Sequence, residues 1–443
     1  MKNRLLYIVL SVLTVALLVL PAVQQHTKLF KFKPLHGVTN ANTPPYKYLN
    51  FNDLRSGEFQ KAAEQHLSDN YGFREPLIRG YNQVMWSLFR KTYCQDVVVG
   101  KKGWLYGQRA VSDYFRQLAG TSADSDEEMV KKLDGEVARL KKMQDLLDER
   151  GTKLFVLVCP SKDIICPEHL PEGKEYVMGD RMRAIEYVPE AFAKNGINYL
   201  DMCAWFEQIK DTVSYPLFPK TGTHWSNVAS IHVADTLIRY MEWLSGKNMP
   251  NIEVGPMYPS EPVRPDNDLE KIMNLVWPIK PNQNYYAKVD IVPDSTAQRL
   301  KLISIGDSYF WNLSYTMPMD SLFSSHPYWY YFSTVYFDPD HNNVKQLNLV
   351  REVDSADLIM IILTSNHLYN INQGFLSRLQ KALSNPYPEV VEDILHKMEA
   401  NDDWYQSLKE KAERQGKTLD EVMRDDALYL IKKDPEKYLG KAE

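Results

Sequence analysis

A short apolar run, Leu302, Ile303 and Ile305, ends at Gly306-Asp307-Ser308 and constrains this chain more than any other stretch. The run reads as a buried strand closing in a sharp turn. Such a turn sets a hydroxyl at the carboxyl edge of a sheet, where open α/β folds place their chemistry. Glycine permits the tight backbone, and a helix starting afterwards aims free amides near the serine oxygen. Asp-Ser is equally an ordinary helix cap, so the tripeptide alone decides nothing. A second stretch, Gly222-Thr-His-Trp-Ser226, adds a partner. His224 lies in a loop between strand and helix, as Ser308 does, and two such loops converge at one edge of a parallel sheet.

The surrounding elements alternate. Val97 to Tyr106 reads as a hairpin. Ser125-Asp-Glu-Glu128 is a capping box for a helix with Met129, Leu133, Val137, Leu140 and Leu147 on one face, ending at Gly151. Leu154 to Val158 is a buried strand, Arg181 to Asn195 a helix and Ile197 to Met202 the next strand. Ser226 caps a helix that turns Val228, Ile231, Ala234, Ile238 and Met241 inward. Leu358 to Leu363 is a further strand, and a helix from about Gln373 to Ser384 closes the series. This order predicts an α/β fold with a mostly parallel sheet covered by helices on both faces. Between Met249 and Ala297 the pattern lapses into Pro, Asn and Asp, as in an insertion or lid.

The 443 residues are 44% hydrophobic and 25% charged, which suits one large α/β domain with appendages. A net charge of -5 gives no sign of a nucleic-acid partner. Leu5 to Leu20 is almost wholly apolar and follows Lys2 and Arg4. Either a signal peptide or a single membrane helix fits. The length up to Val23 approaches the roughly 20 residues of a span, and no small-x-small cleavage pair follows, which favours an anchor. Under both readings everything after residue 27 faces outward, and the anchor reading makes it the extracytoplasmic domain of a single-pass cytoplasmic-membrane protein. Pro21 is expected to stop the run. The expected divisions are 1–27 anchor, 28–95 tether and membrane-proximal helices, 96–385 main domain with the 249–297 insertion, and 386–443 a helical tail beginning past Asn385-Pro-Tyr-Pro388. Cys94, Cys159, Cys166 and Cys203 allow two disulfides or four free thiols, and no Cys-x-x-Cys spacing signals zinc or thioredoxin-like chemistry.

Serine needs a base to become a nucleophile, and His224 is the candidate. The order Val99-Gly-Lys-Lys-Gly-Trp-Leu-Tyr106, Cys159-Pro-Ser-Lys162, Thr221-Gly-Thr-His-Trp-Ser226 and Gly306-Asp-Ser308 resembles the SGNH-hydrolase-like family of extracytoplasmic polysaccharide O-acetyltransferases, typified by the periplasmic alginate acetylation proteins. The resemblance covers roughly residues 50 to 380. It implies Ser308 as the residue that takes up an acetyl group and His224 as its base, with no metal or diffusible cofactor. It also implies a membrane-bound O-acyltransferase as acyl donor and an exported polysaccharide as acceptor. The family's orienting aspartate, two residues before the histidine, is here Gly222. Asp201, Asp266 or Asp268 replaces it, a backbone carbonyl orients the ring, or the site is inactive and kept for binding; as lone residues the three aspartates also read as caps or turn formers.

The amides of Ser308 and Tyr309, with the side chain of Asn366, are oxyanion-hole candidates; Asn366 also reads as a turn residue. Lys162 follows a strand and suits an anionic sugar, a structural carboxylate or plain solvent. Trp225, Tyr328 and Trp329 are candidates for a sugar-stacking surface, with packing beside His224 as the other reading of Trp225. A carbohydrate esterase and a non-catalytic glycan-binding or scaffold protein are the competing functions.

Overall fold

The computed structural model of the chain describes residues 2–37, 47, 49–117, 125–384, 387–434 and 437–438. Part of the expected tether (38–46 and 48) and Asn385-Pro386 of the expected tail boundary lie outside the described residues. Helix α1 (Lys2–Thr27) is long and apolar enough to cross a membrane, by length and composition, and most of its described apolar side chains are exposed. Pro21 does not end it. The helix continues through the proline for six residues, because losing one interior N–H bends a helix without necessarily breaking it. Three further helices (Phe51–Ser56, Glu58–Asp69 and Arg74–Phe89) lead to the main body, the last of them burying Trp86 and leaving Leu77, Tyr81 and Leu88 exposed.

Seven strands form one sheet: β1 (Lys153–Cys159), β2 (Tyr199–Asp201), β3 (Leu300–Gly306), β4 (Phe323–Ser325), β5 (Tyr328–Tyr330), β6 (Thr334–Tyr336) and β7 (Leu358–Thr364). Their order is β6-β5-β3-β7-β1-β2, with β4 beside the start of β3. Each described pairing is parallel except β5 with β6. Ile361 of β7 stands opposite Val156 of β1 and Ile305 of β3. Side chains alternate between two cores. Ile303, Ile305, Ile359, Ile361, Val156 and Val158 face helices α2 (Asp126–Asp148), α3 (Ala184–Asn195) and the closing helix before the tail (Phe375–Ser384). Leu302, Met360, Ile362, Phe155 and Leu157 face α4 (Asn227–Ser245) and α5 (Tyr309–Thr316). Burial on both faces is why these strands read as unbroken apolar runs.

The caps fall where the sequence puts them: the Ser125 hydroxyl accepts the Glu128 amide at 3.2 Å, and the Ser226 hydroxyl accepts that of Ala229 at 3.3 Å. Two expected elements are shorter than expected. Helix α3 begins at Ala184 rather than Arg181, and β2 covers only Tyr199–Asp201. Residues 249–297, where periodicity lapsed, are folded. Ile252–Val254 pairs with Val289–Ile291, Tyr258–Ser260 pairs with Asn284–Tyr286, and the short helix Asp268–Ile272 lies at the far end of this arm. Strands of three residues are too short to show a period of two. The last three helices, Pro388–Glu399, Asp402–Gln415 and Leu419–Lys433, bury Ile394, Met398, Leu408, Val422 and Ile431 against one another in a core of their own. All four cysteines are unpaired, with Cys159 and Cys203 buried.

Candidate active site

Strand β3 ends at Gly306, whose φ is +147° and whose missing Cβ would lie 1.9 Å from the Ile362 carbonyl oxygen. No other residue allows the chain to turn there against β7. The turn delivers Ser308 at the carboxyl edge of the sheet, and α5 starts immediately after. His224 is brought to the same edge by the loop before α4. Its Nε2 lies 2.9 Å from Ser308 Oγ across 84 residues of sequence. The imidazole is 9% exposed, and the edge of its ring packs on Tyr309 with centroids 4.8 Å apart.

On the other ring nitrogen, His224 Nδ1 stands 3.2 Å from Asp268 Oδ2. The contact is close but lies off the N–H direction, so it is not an aligned hydrogen bond. The carboxylate is fixed by its other oxygen, which accepts the amides of Thr223 at 2.7 Å and Leu269 at 2.8 Å. Asp268 keeps 29% of its side-chain surface accessible, yet dense protein surrounds it. Burial works to raise its carboxyl, while His224 and the two amides outweigh that and hold it below the ordinary value.

The other two aspartates weighed for this task are committed elsewhere. Asp201 caps the helix Met202–Ile209, its Oδ1 accepting the Ala204 amide at 3.0 Å. Asp266 is buried and bonded to the Asn284 side chain, its carboxyl pushed up to about 7 by burial. Asp266 also explains Gly222. A Cβ at position 222 would stand 2.6 Å from the Asp266 carbonyl oxygen, so the arm carrying Asp268 packs directly over the glycine.

A cavity of about 140 Å³ opens at Ser308, lined among others by Arg109, Lys162, Thr223, Asn366 and His367. The expected oxyanion donors divide. The Tyr309 amide is already spent on Asp307 Oδ1 at 3.1 Å, which corrects its assignment as a free donor. Among the described residues no acceptor stands on the Ser308 amide. The Asn366 side chain lines the cavity, and its buried Oδ1 has no hydrogen-bond partner. A flip exchanges that oxygen for the amide nitrogen, so Asn366 remains a usable donor.

Lys162 is 2% exposed and donates to three carbonyls: Leu105 at 2.7 Å, Lys220 at 3.0 Å and Gly222 at 3.0 Å. It also lies over the Trp104 and Tyr106 rings, at 4.9 and 5.2 Å. Burial pulls it down to about 7, while three carbonyls match the three donors of an ammonium and support the charged form. Its geometry is that of a clamp on the loop bearing His224, not of a free sugar ligand.

The expected stacking surface is not at the surface. Trp225 is fully buried against Phe206 and Tyr309, and its carbonyl accepts the Asn312 side chain at 3.0 Å, so it packs behind His224. Tyr328 and Trp329 are both 0% exposed, pointing into opposite cores from adjacent positions of β5. The Tyr328 hydroxyl is bonded to the Asp307 carbonyl. These three are structural residues.

Sequence reasoning missed Arg109, Asp307 and His367. Arg109 donates to the Asn366 carbonyl at 3.2 and 3.4 Å. The Asp307 carboxylate is buried between Thr364 and His367. The available signal was position: Asp307 adjoins Ser308, and His367 directly follows Asn366 at the end of its strand. Among the described residues no three His, Cys, Asp or Glu side chains assemble as metal ligands.

Residues 97–305 match the family described as ALGX: SGNH hydrolase-like domain, acetyltransferase AlgX. That match takes in His224 and Asp268 and ends just before the Gly306-Asp-Ser turn. The chain is 27% identical over 184 residues to the probable alginate O-acetylase AlgJ of Pseudomonas aeruginosa, covering 42% of each chain. It is 25% identical over 183 residues to the protein of the same name from Pseudomonas syringae pv. tomato, covering 41% of this chain and 42% of that one. The alignments thus span less than half the length of these curated relatives. The solved O-acetyltransferase domain of Pseudomonas putida AlgJ aligns with a TM-score of 0.42 and 15% identity, over 65% of this chain and 99% of that one.

Proposed function

We propose that this chain, a distant homologue of the AlgX and AlgJ alginate O-acetylation proteins through residues 97–305, moves an acyl group, acetyl in the first instance, onto hydroxyls of an exported or cell-surface polysaccharide. His224 takes the proton of Ser308, and the serine oxygen attacks the acyl carbonyl. The Ser308 amide and the Asn366 side chain receive the developing negative charge. Asp268 orients the imidazole and stabilises the imidazolium. A sugar hydroxyl then attacks the acyl-enzyme. The observation that carries this reading is the 2.9 Å contact between His224 Nε2 and Ser308 Oγ, with Asp268 on the ring's other nitrogen.

The glycine at position 222 pointed toward an inactive binding protein. A carboxylate on the neighbouring arm supplies what that position lacks, which favours catalysis. In this reading residues 96–385 are the acyl-transfer domain, 28–95 its membrane-proximal support and 386–443 an added helical unit. The apolar α1 is a signal-anchor that holds the domain on the outer side of the cytoplasmic membrane, where a membrane-bound O-acyltransferase supplies the acyl group.

A fluorophosphonate probe followed by peptide mapping tests the site: the label is expected on Ser308 and lost in Ser308→Ala and His224→Ala at nearly unchanged melting temperature. Labelling elsewhere, or full labelling of both variants, removes the enzyme. Acceptor glycan in excess is expected to suppress acetate release; release insensitive to glycan assigns the same site to an esterase.

A further inference from the structure

Ser308 has a second carboxylate–imidazole pair beside it. Asp307, the residue before the serine, is fully buried. Its Oδ2 accepts the Thr364 amide at 2.7 Å, the Thr364 hydroxyl at 2.6 Å and His367 Nδ1 at 2.8 Å, while Oδ1 accepts the Tyr309 amide at 3.1 Å. The Asp307 carboxylate is therefore saturated and reaches no substrate. Holding the Nδ1 proton of His367 leaves Nε2 as the nitrogen that gains and gives up the second proton, on a ring that keeps 23% of its surface and lines the Ser308 cavity. His224 has the complementary arrangement, with Nε2 already occupied by Ser308.

We infer that His367 is the general acid and base for the two exchanging alcohols, while His224 serves Ser308 alone. This rests on the acyl-transfer reading above. With an oxygen ester as donor, the cycle closes without an outside proton. Ser308 Oγ bonds to the acyl carbon and gives its proton to His224. The bond from acyl carbon to the departing alcohol oxygen breaks, and that oxygen takes the Nε2 proton of His367, which enters this half as the imidazolium with its Nδ1 proton held by Asp307. In the second half the acceptor hydroxyl attacks the same carbon and returns a proton to His367, and Ser308 leaves with the proton held by His224. One imidazole need not turn between two oxygens, and the Asp307 carboxylate sets the His367 ring relative to the serine because the two acidic and nucleophilic positions are adjacent in sequence.

The alternative is that the pair only pins the Gly306–Ser308 turn. Substituted phenyl acetates, from 4-nitrophenyl to 4-methoxyphenyl, separate the two. His367→Asn keeps an amide N–H near the Nδ1 position and so preserves the bond to Asp307, but has no proton to give at Nε2. The loss of phenol release from the full chain is expected to steepen along the series, smallest for the 4-nitrophenyl ester, whose leaving group needs least help from an acid, and about 10²-fold at the 4-methoxyphenyl end. Equal loss across the series, or no loss, overturns the inference. His367→Gln, with its amide nearer the Nε2 position, is expected to show the same steep dependence, so the test survives if one variant folds poorly. Undiminished release by Ser308→Ala is a different result: it removes the acyl-enzyme itself and not merely the role of His367.

Discussion

The carbonyl oxygen of Asp266 stands 2.6 Å from the point where Gly222 would carry a Cβ. Glycine at that position is therefore the seat of the arm that brings Asp268 to His224. Asp268→Asn is expected to lower turnover of an activated acetyl ester by about 10³–10⁴, the scale of removing the acid from a Ser-His-Asp set. Adding Gly222→Asp to that variant is expected not to restore it, since the new side chain collides with backbone. Recovery in the double variant, read by steady-state rate beside melting temperature, would show that the arm is dispensable.

Lys162 joins three carbonyls from two segments while itself only 2% exposed. Lys162→Met fills the volume but orphans those acceptors, each worth about 1–3 kcal/mol when left unsatisfied. Urea denaturation is expected to show a loss of several kcal/mol and a weaker fluorophosphonate reaction, because the His224 loop loses its clamp. A stability within about 0.5 kcal/mol of the parent, the range of ordinary surface changes, counts against the clamp.

Acid should act on Asp268 in a readable way. Burial opposes its ionisation, but His224, Thr223 and Leu269 overcome this, and the folded value lies below the ordinary 3.8. A carboxyl lowered by folding contributes stability that is complete above its unfolded value and lost as pH falls through the folded one. The stability gap between parent and Asp268→Asn is expected to be full at pH 6 and to close progressively below about pH 4, near the unfolded carboxyl value. A gap that stays constant down to pH 2.5, by urea midpoints, contradicts this account of the Asp268 carboxylate and its partners.

Trp329→Ala is expected to cost about 3–5 kcal/mol, the range for removing a large buried aromatic, while leaving KM for a glycan acceptor unchanged in the folded fraction. A selective rise in KM at constant stability would return Trp329 to the sugar-stacking role that its buried position denies.

The central strands were legible because both their faces are covered, so β1, β3 and β7 are continuous apolar runs bounded by turn residues. Ser308 and His224 were legible for a related reason: each follows such a landmark. Asp268 was visible only as one of three aspartates. Its arm is built from three-residue strands, and a choice among Asp201, Asp266 and Asp268 depends on which backbone folds back over Gly222. The aromatic stretch misled. Tyr328 and Trp329 look like a platform in one dimension, but neighbours on a strand point to opposite faces, and both faces of this sheet are core. His367 escaped because its partner is Asp307, and a hydrogen bond across two adjacent strand ends leaves no periodic trace.

The base, its carboxylate and the nucleophile come from three stretches of chain that touch only once the sheet, the arm and α4 have assembled. An extended chain carries all three groups and brings none of them together. The 2.9 Å contact between His224 and Ser308 therefore comes with the last tertiary contacts rather than with any covalent step.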